Sequence, residues 1–180
     1  MGSQLLQLLL KASQDKRFVC EEADKALSAM VGSMTPLPLL NKLRVYVSHA
    51  NFRIRAKAAI SISNCVSKMV SLAIYNSFLS GNLCCLQDVN MKSDANCVWS
   101  NEQVLEGMKE FGLVELVQMS ADLLKDRLPE AREAARSVVI SIYEAFTESE
   151  EQKQEAWQSF CQSNLSPIHA QSMFKIIPSL

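Results

Sequence analysis

Three segments of this chain repeat one pattern, and a repeat limits the fold more tightly than any single residue can. Val19-Cys20-Glu21-Glu22-Ala23 aligns with Ile54-Arg55-Ala56-Lys57-Ala58 and with Ala131-Arg132-Glu133-Ala134-Ala135. Each copy follows a short polar turn and opens a helix, and the pattern runs on through Ala26-Leu27, Ser61-Ile62 and Val138-Val139. Small or apolar residues therefore fall at i, i+4, i+7 and i+8, the spacing of one buried helical face. Self-similarity at a period of about 35 to 45 residues marks an α-solenoid, in which no unit buries its apolar face without its neighbours. The expected fold class is all-α, a stack of helical hairpins, and the expected role is binding another macromolecule.

Local signals place the hairpins. Leucines line one side of a helix over residues 3–13, Asp15-Lys16-Arg17 turns the chain, and a second helix runs over 18–31 with Gly32 closing it. Thr35 and Pro36 read as N-cap and first helical residue of the next helix, whose apolar side is Leu37, Leu39, Leu40, Leu43, Val45 and Tyr46. After the turn His49-Ala50-Asn51, a partner helix over 52–69 points Ile54, Ala58, Ala59, Ile62, Cys65, Val66 and Met69 inward. A third hairpin spans 113–146, with the turn Asp126-Arg127-Leu128-Pro129 at its middle. The acidic run Glu148 to Glu151 starts a further helix through Trp157, and Ser166-Pro167 caps a last one bearing Ile168 and Met173, so that residues 150–178 form a C-terminal helical cap.

Regularity breaks between the second and third copies. Val19 and Ile54 are about 35 residues apart but Ile54 and Ala131 about 77, so one unit of ordinary length leaves a surplus. The segment 70–103 holds Cys84, Cys85 and Cys97, a turn signal at Ser80-Gly81-Asn82, and an unpatterned polar stretch over 87–100. It reads as a long loop or an unspliced piece of the gene product, with a divergent hairpin as the alternative. The whole of residues 1–180 is expected to form a single domain.

Composition narrows the function classes. With 18 basic and 19 acidic side chains the net charge is -1, which argues against a nucleic-acid footprint over the surface. No apolar run reaches the 18 or so residues of a membrane span, and the leucines of 5–10 lack a basic leader ahead of them, so no membrane or secretory segment is expected. The six cysteines include no C-x-x-C pair and only two histidines accompany them, so neither a metal nor a cofactor is expected, and a reducing compartment suits the free thiols. His49, in a turn, and His169, on the last helix, read as solvated residues and not as catalytic bases, and no glycine-rich phosphate loop exists. A non-enzymatic, monomeric, cytoplasmic protein is the expectation.

In a stack of hairpins the turns lie side by side along one edge. That edge would display Lys16 and Arg17, then Asn51, Phe52, Arg53 and Arg55, then Arg127 with Arg132; arginines in such rows can grip carboxylates on a partner. The competing reading is that these cations solubilise the surface or pair with adjacent glutamates, and that Phe18 and Phe52 pack as hydrophobic staples.

At these residues the chain resembles the HEAT-repeat (armadillo-like) TOG domains of the CLASP and TOG-array families, in particular plant members. The resemblance rests on residues 15–23, 51–59 and 128–135, and on Trp157-Gln158-Ser159-Phe160-Cys161. It implies a larger set of repeats in a whole domain, of which this chain holds part. It also implies binding of tubulin or microtubules, a cytoskeletal location, and contacts from Lys16, Arg17, Asn51, Arg53, Arg55 and Arg127. The rival function, independent of the resemblance, is an armadillo-type adaptor that holds a peptide or helix in a concave groove.

Overall fold

The computed structural model describes residues 2–82, 111–147 and 151–177, with side chains over 3–70, 111–147 and 151–177. Every regular element among the described residues is a helix: α1 (Gly2–Ala12), α2 (Arg17–Ser33), α3 (Pro36–Leu43), a 3-10 turn (Arg44–Tyr46), α4 (Phe52–Asn82), α5 (Leu113–Leu123), α6 (Pro129–Thr147), α7 (Lys153–Asn164) and α8 (Pro167–Phe174). Helices consecutive in the chain pack in pairs, α1 on α2, α3 on α4, α5 on α6 and α7 on α8. The pairs meet chiefly through α2, α4 and α6, and α4 on α6 is the largest contact.

The inward faces follow the periodicity. All seven residues expected to face inward from α4 are buried, from Ile54 to Met69, as are Ala131, Ala134, Ala135, Val138, Val139 and Ile142 of α6. One buried cluster runs from Leu5 to Met173, and a second, built on Ala56, Ala59, Ala131, Ala134, Ala135 and Leu123, lies between α4 and α6. Alanine at these positions removes side-chain bulk from the α4–α6 contact, which lets the two backbones approach closely.

Several local expectations need correction. Gly32 does not close α2; the helix continues to Ser33, and its C-cap Met34 is extended, with its N–H donating to the Met30 carbonyl. The stop comes from Pro36, whose ring forces the preceding residue out of the helical region, and Thr35 is indeed extended with ψ 132°. Thr35 is the N-cap by position, but its hydroxyl makes no capping bond. Val45 is expected on the buried side of α3 and is instead 68% exposed, because α3 ends at Leu43 and the tighter winding of Arg44–Tyr46 turns the side chain outward. Ile168 is likewise 68% exposed, while Met173 on the same helix is buried.

The segment singled out as irregular, 70–103, begins as helix: α4 continues without interruption through Asn82, so the turn expected at Ser80-Gly81-Asn82 is its last turn. The remainder, 83–103, lies outside the described residues, as do 148–150 of the acidic run expected to open the next helix; Glu151 precedes that helix, which starts at Lys153 with Gln152 as its N-cap. Where the chain re-enters, Gly112 adopts φ 105° as the N-cap of α5. A Cβ there would be strained in that region and would meet the Glu115 side chain at 3.4 Å, so glycine suits the corner. Ser166 and Pro167 start α8 as expected, with the Ser166 hydroxyl accepting from the His169 N–H at 3.4 Å.

Candidate functional site

The three repeated turns share one internal bond at equivalent positions. Arg55 Nη1 donates to the carbonyls of His49 and Ala50, at 2.9 and 3.2 Å, six and five residues back. Arg132, its counterpart in the third copy, donates in the same way to the carbonyls of Asp126 and Arg127, at 2.8 and 3.0 Å. In the first copy Cys20 holds that position, and its Sγ donates to the Gln14 carbonyl six residues back at 2.7 Å. A turn that leaves helical geometry exposes carbonyls lacking intrahelical partners, and a donor from the first turn of the next helix satisfies them.

Arg55 is also tied to the turn between α5 and α6. Its Nε donates to Asp126 Oδ2 at 2.7 Å, and the side chains are 24% and 5% exposed respectively. Asp126 in addition accepts from the Leu128 N–H at 3.0 Å. Burial pushes the Asp126 carboxyl up, but the Leu128 amide, the Arg55 guanidinium and the Arg127 amide together outweigh it and hold the group below the ordinary carboxylate range. Arg55 is thus committed to the inside of the molecule, and its reach toward a partner is correspondingly small. Arg132, with no ion pair among the described residues, is held only by the two carbonyls of its own turn.

The other expected contact residues lie at the surface. Asn51 caps α4, its Oδ1 accepting from the Arg53 N–H at 2.9 Å, while its own N–H donates to His49 Nδ1 at 3.0 Å. Arg53 Nη1 donates to the Ser13 carbonyl at 3.3 Å and to Asp15 Oδ1, joining the second turn to the first. Arg17 pairs with Glu21 one helical turn on, at 2.7 Å, with the arginine side chain 92% exposed. Lys16 is exposed and makes no ion pair among the described residues. The Arg127 guanidinium lies over the Phe52 ring, 5.7 Å from its centroid, in a cation–π contact.

These placements bring the turns to one edge. Asp15, Arg17, Cys20, Arg53, Leu128 and Glu130 line a shared cleft of about 380 Å³, and Arg127, beside Leu128, reaches the ring of Phe52, beside Arg53. Phe52 is half-buried beneath that guanidinium, whereas Phe18 is 74% exposed, so the staple reading fails for Phe18. Both histidines are half-buried instead of solvated. His49 is held by Asn51, and His169 Nε2 lies 2.7 Å from Lys125 Nζ and 3.7 Å from Asp122 Oδ1.

Sequence reasoning missed two carboxylates that decide which cations are free, Asp15 and Asp126, whereas the pairing with an adjacent glutamate given by the competing reading is found at Arg17 and Glu21. The repeat register carried a signal for Asp126, which sits six residues before Arg132 as His49 sits before Arg55, but the partners of Asp15 and Asp126 are set by how the helix pairs pack. Nothing among the described residues gathers three or more metal-ligating side chains, and no described helix is long and apolar enough to cross a membrane. The buried thiols are poor nucleophiles: burial pushes Cys65 up to about 12, against a smaller pull from Lys68, and Cys161 up to about 12. No family model, no curated protein and no solved structure matches the chain, so any kinship rests on the turn residues themselves.

Proposed function

We propose that this chain is a non-catalytic binding module, a stack of HEAT- or armadillo-like hairpins whose turn edge grips an acidic protein surface, with tubulin in the microtubule lattice as the partner. The observation that supports this most is the shared edge of Lys16, Arg17, Arg53 and Arg127, on which Lys16 and Arg127 carry no carboxylate partner among the described residues. The equivalent turn bonds made by Cys20, Arg55 and Arg132 support the repeat reading that lines the turns up. On this reading the protein acts as a monomer in the cytoplasm, on the cytoskeleton, and influences microtubule organisation or dynamics.

The test is co-sedimentation with taxol-stabilised microtubules across a salt series. Contacts of this kind weaken as ionic strength rises, because exposed charges are screened over about 10 Å at 0.1 M salt. Pelleting at low salt that is lost when Lys16, Arg17, Arg53 and Arg127 are changed to glutamate is the expected result. No pelleting at low salt, or pelleting indifferent to those changes, overturns the proposal.

A second reading has its own observation. A groove of about 630 Å³ beside the 3-10 turn and α5 is lined by Arg44, Val45, Val47, Glu115, Met119 and Asp122, with Val45 presented outward. Such a groove suits a peptide or helix of an adaptor's client. A pull-down that returns one stoichiometric partner and no tubulin, abolished by Val45→Glu, favours it.

A further inference from the structure

Two of the four cations on the turn edge already hold a carboxylate of their own chain. Asp15 Oδ1 accepts from Arg53 Nη1, and Glu21 Oε1 accepts from Arg17 Nε at 2.7 Å. Neither carboxylate is locked in the protein: the Asp15 side chain is 87% exposed and that of Glu21 is 52% exposed. Each takes one donor of its guanidinium and sets a negative charge beside the cation that an acidic partner would approach.

We infer that Asp15 and Glu21 are built-in competitors of the partner, which hold Arg53 and Arg17 in the free protein and must be displaced when an acidic surface docks. This deepens the proposed function and rests on it. Exposed ion pairs are weak, so exchange is possible, but the partner gains at each arginine only the difference between its own contact and the one it replaces. Lys16 and Arg127 carry no such competitor, since Lys16 is unpaired among the described residues and Arg127 rests on an aromatic ring. They therefore make first contact, and the two arginines follow by exchange.

Arg53 is prepared for that exchange. Its Nη1 also donates to the Ser13 carbonyl, 40 residues away in sequence, so the guanidinium keeps an anchor when Asp15 leaves. Replacing Asp15 by asparagine keeps the shape of the turn while removing the charge, and Glu21→Gln does the same on α2. Removing a negative charge from these two positions then strengthens binding to an acidic partner through two particular arginines. A general fall in net negative charge does not depend on position, which separates the two explanations.

The experiment compares the full-length chain, Asp15→Asn, Glu21→Gln, the double variant and Glu133→Gln, an exposed carboxylate of α6 with no ion pair among the described residues. Thermal melts followed by circular dichroism establish that each folds. Binding is read on two probes, taxol-stabilised microtubules and poly-L-glutamate. The double variant is expected to bind microtubules about two- to fivefold more tightly, the range set by exposed pairs at 1.4 kcal/mol per tenfold, and Glu133→Gln to change little. In an Arg53→Gln background the gain from Asp15→Asn disappears.

A gain no larger than that of Glu133→Gln, or one that persists without Arg53, overturns the inference while leaving wild-type microtubule binding intact. If the wild-type chain does not bind microtubules but the same ordering appears on poly-L-glutamate, the competitor role stands and tubulin is the wrong partner. Binding to neither probe overturns both.

Discussion

Replacing Arg55 by methionine keeps the aliphatic stem and removes the guanidinium, and its cost can be worked from the contacts. The change deletes the charge-assisted bond to Asp126 and the donors to the His49 and Ala50 carbonyls. A hydrogen bond to a charged group contributes about 1.5–3 kcal/mol. Removing one partner of a fully buried pair costs about 3–5 kcal/mol, because a charge is stranded. Arg55 is 24% exposed and Asp126 keeps the Leu128 N–H, so the value falls between these limits, at about 2–4 kcal/mol. Urea unfolding of Arg55→Met, Asp126→Asn and the double variant measures it, with an expected coupling of about 1.5–3 kcal/mol between the two sites.

The pH dependence supplies an independent arm. Asp126 is held below its unfolded value of about 3.9, so the unfolded chain binds the proton first as acid is added. Its contribution is therefore complete above the unfolded pKa and is lost as pH falls through the lower folded value. The wild-type chain should lose stability from about pH 5 downward, and Arg55→Met should lose less over the same window because its folded and unfolded values lie closer together. Strictly additive single-variant costs, together with unchanged acid sensitivity in Arg55→Met, would refute the reasoning.

Three further outcomes follow from the packing. Lys68 Nζ donates to the carbonyls of Val31, Gly32 and Met34 at 3.1, 2.7 and 3.1 Å, satisfying the C-terminal end of α2, so Lys68→Met should lower stability by about 1–2 kcal/mol in urea unfolding. Ile62→Ala, at a fully buried position on α4, should cost about 2–5 kcal/mol, whereas Val45→Ala should stay within about 0.5 kcal/mol, and similar costs for both would place Val45 in the core. In the native protein a thiol reagent followed by peptide mass spectrometry should label Cys20 well ahead of Cys65 and Cys161, and equal labelling would contradict their burial.

Much of the helical layout was legible because it depends on short-range regularities. The spacing of Ile54, Ala58, Ile62, Cys65 and Met69 is a property of eighteen or so consecutive residues, and a helix buries that side whatever it packs against. Polar turns and prolines marked the corners at Pro36, Pro129 and Pro167 for an equally local reason. One misreading was local too but depended on winding: a 3-10 step at Arg44–Tyr46 rotates Val45 away from the face that an unbroken α-helix would give it.

The candidate edge was half legible. Periodicity by itself determined that this chain would be helical, which sides of its helices would be buried, and that basic residues would collect at its turns. Only the tertiary structure decided which of those residues stay available. Arg55 is committed to Asp126, 71 positions later in the chain, and Arg53 to Asp15, 38 positions earlier. Such pairs form through the offset between packed helices, and that offset is set by side-chain volumes at the contacts between pairs, such as the alanines between α4 and α6. Local sequence period carries no record of it, so two arginines only two residues apart can end with opposite roles, Arg53 exposed at the edge and Arg55 fastened within.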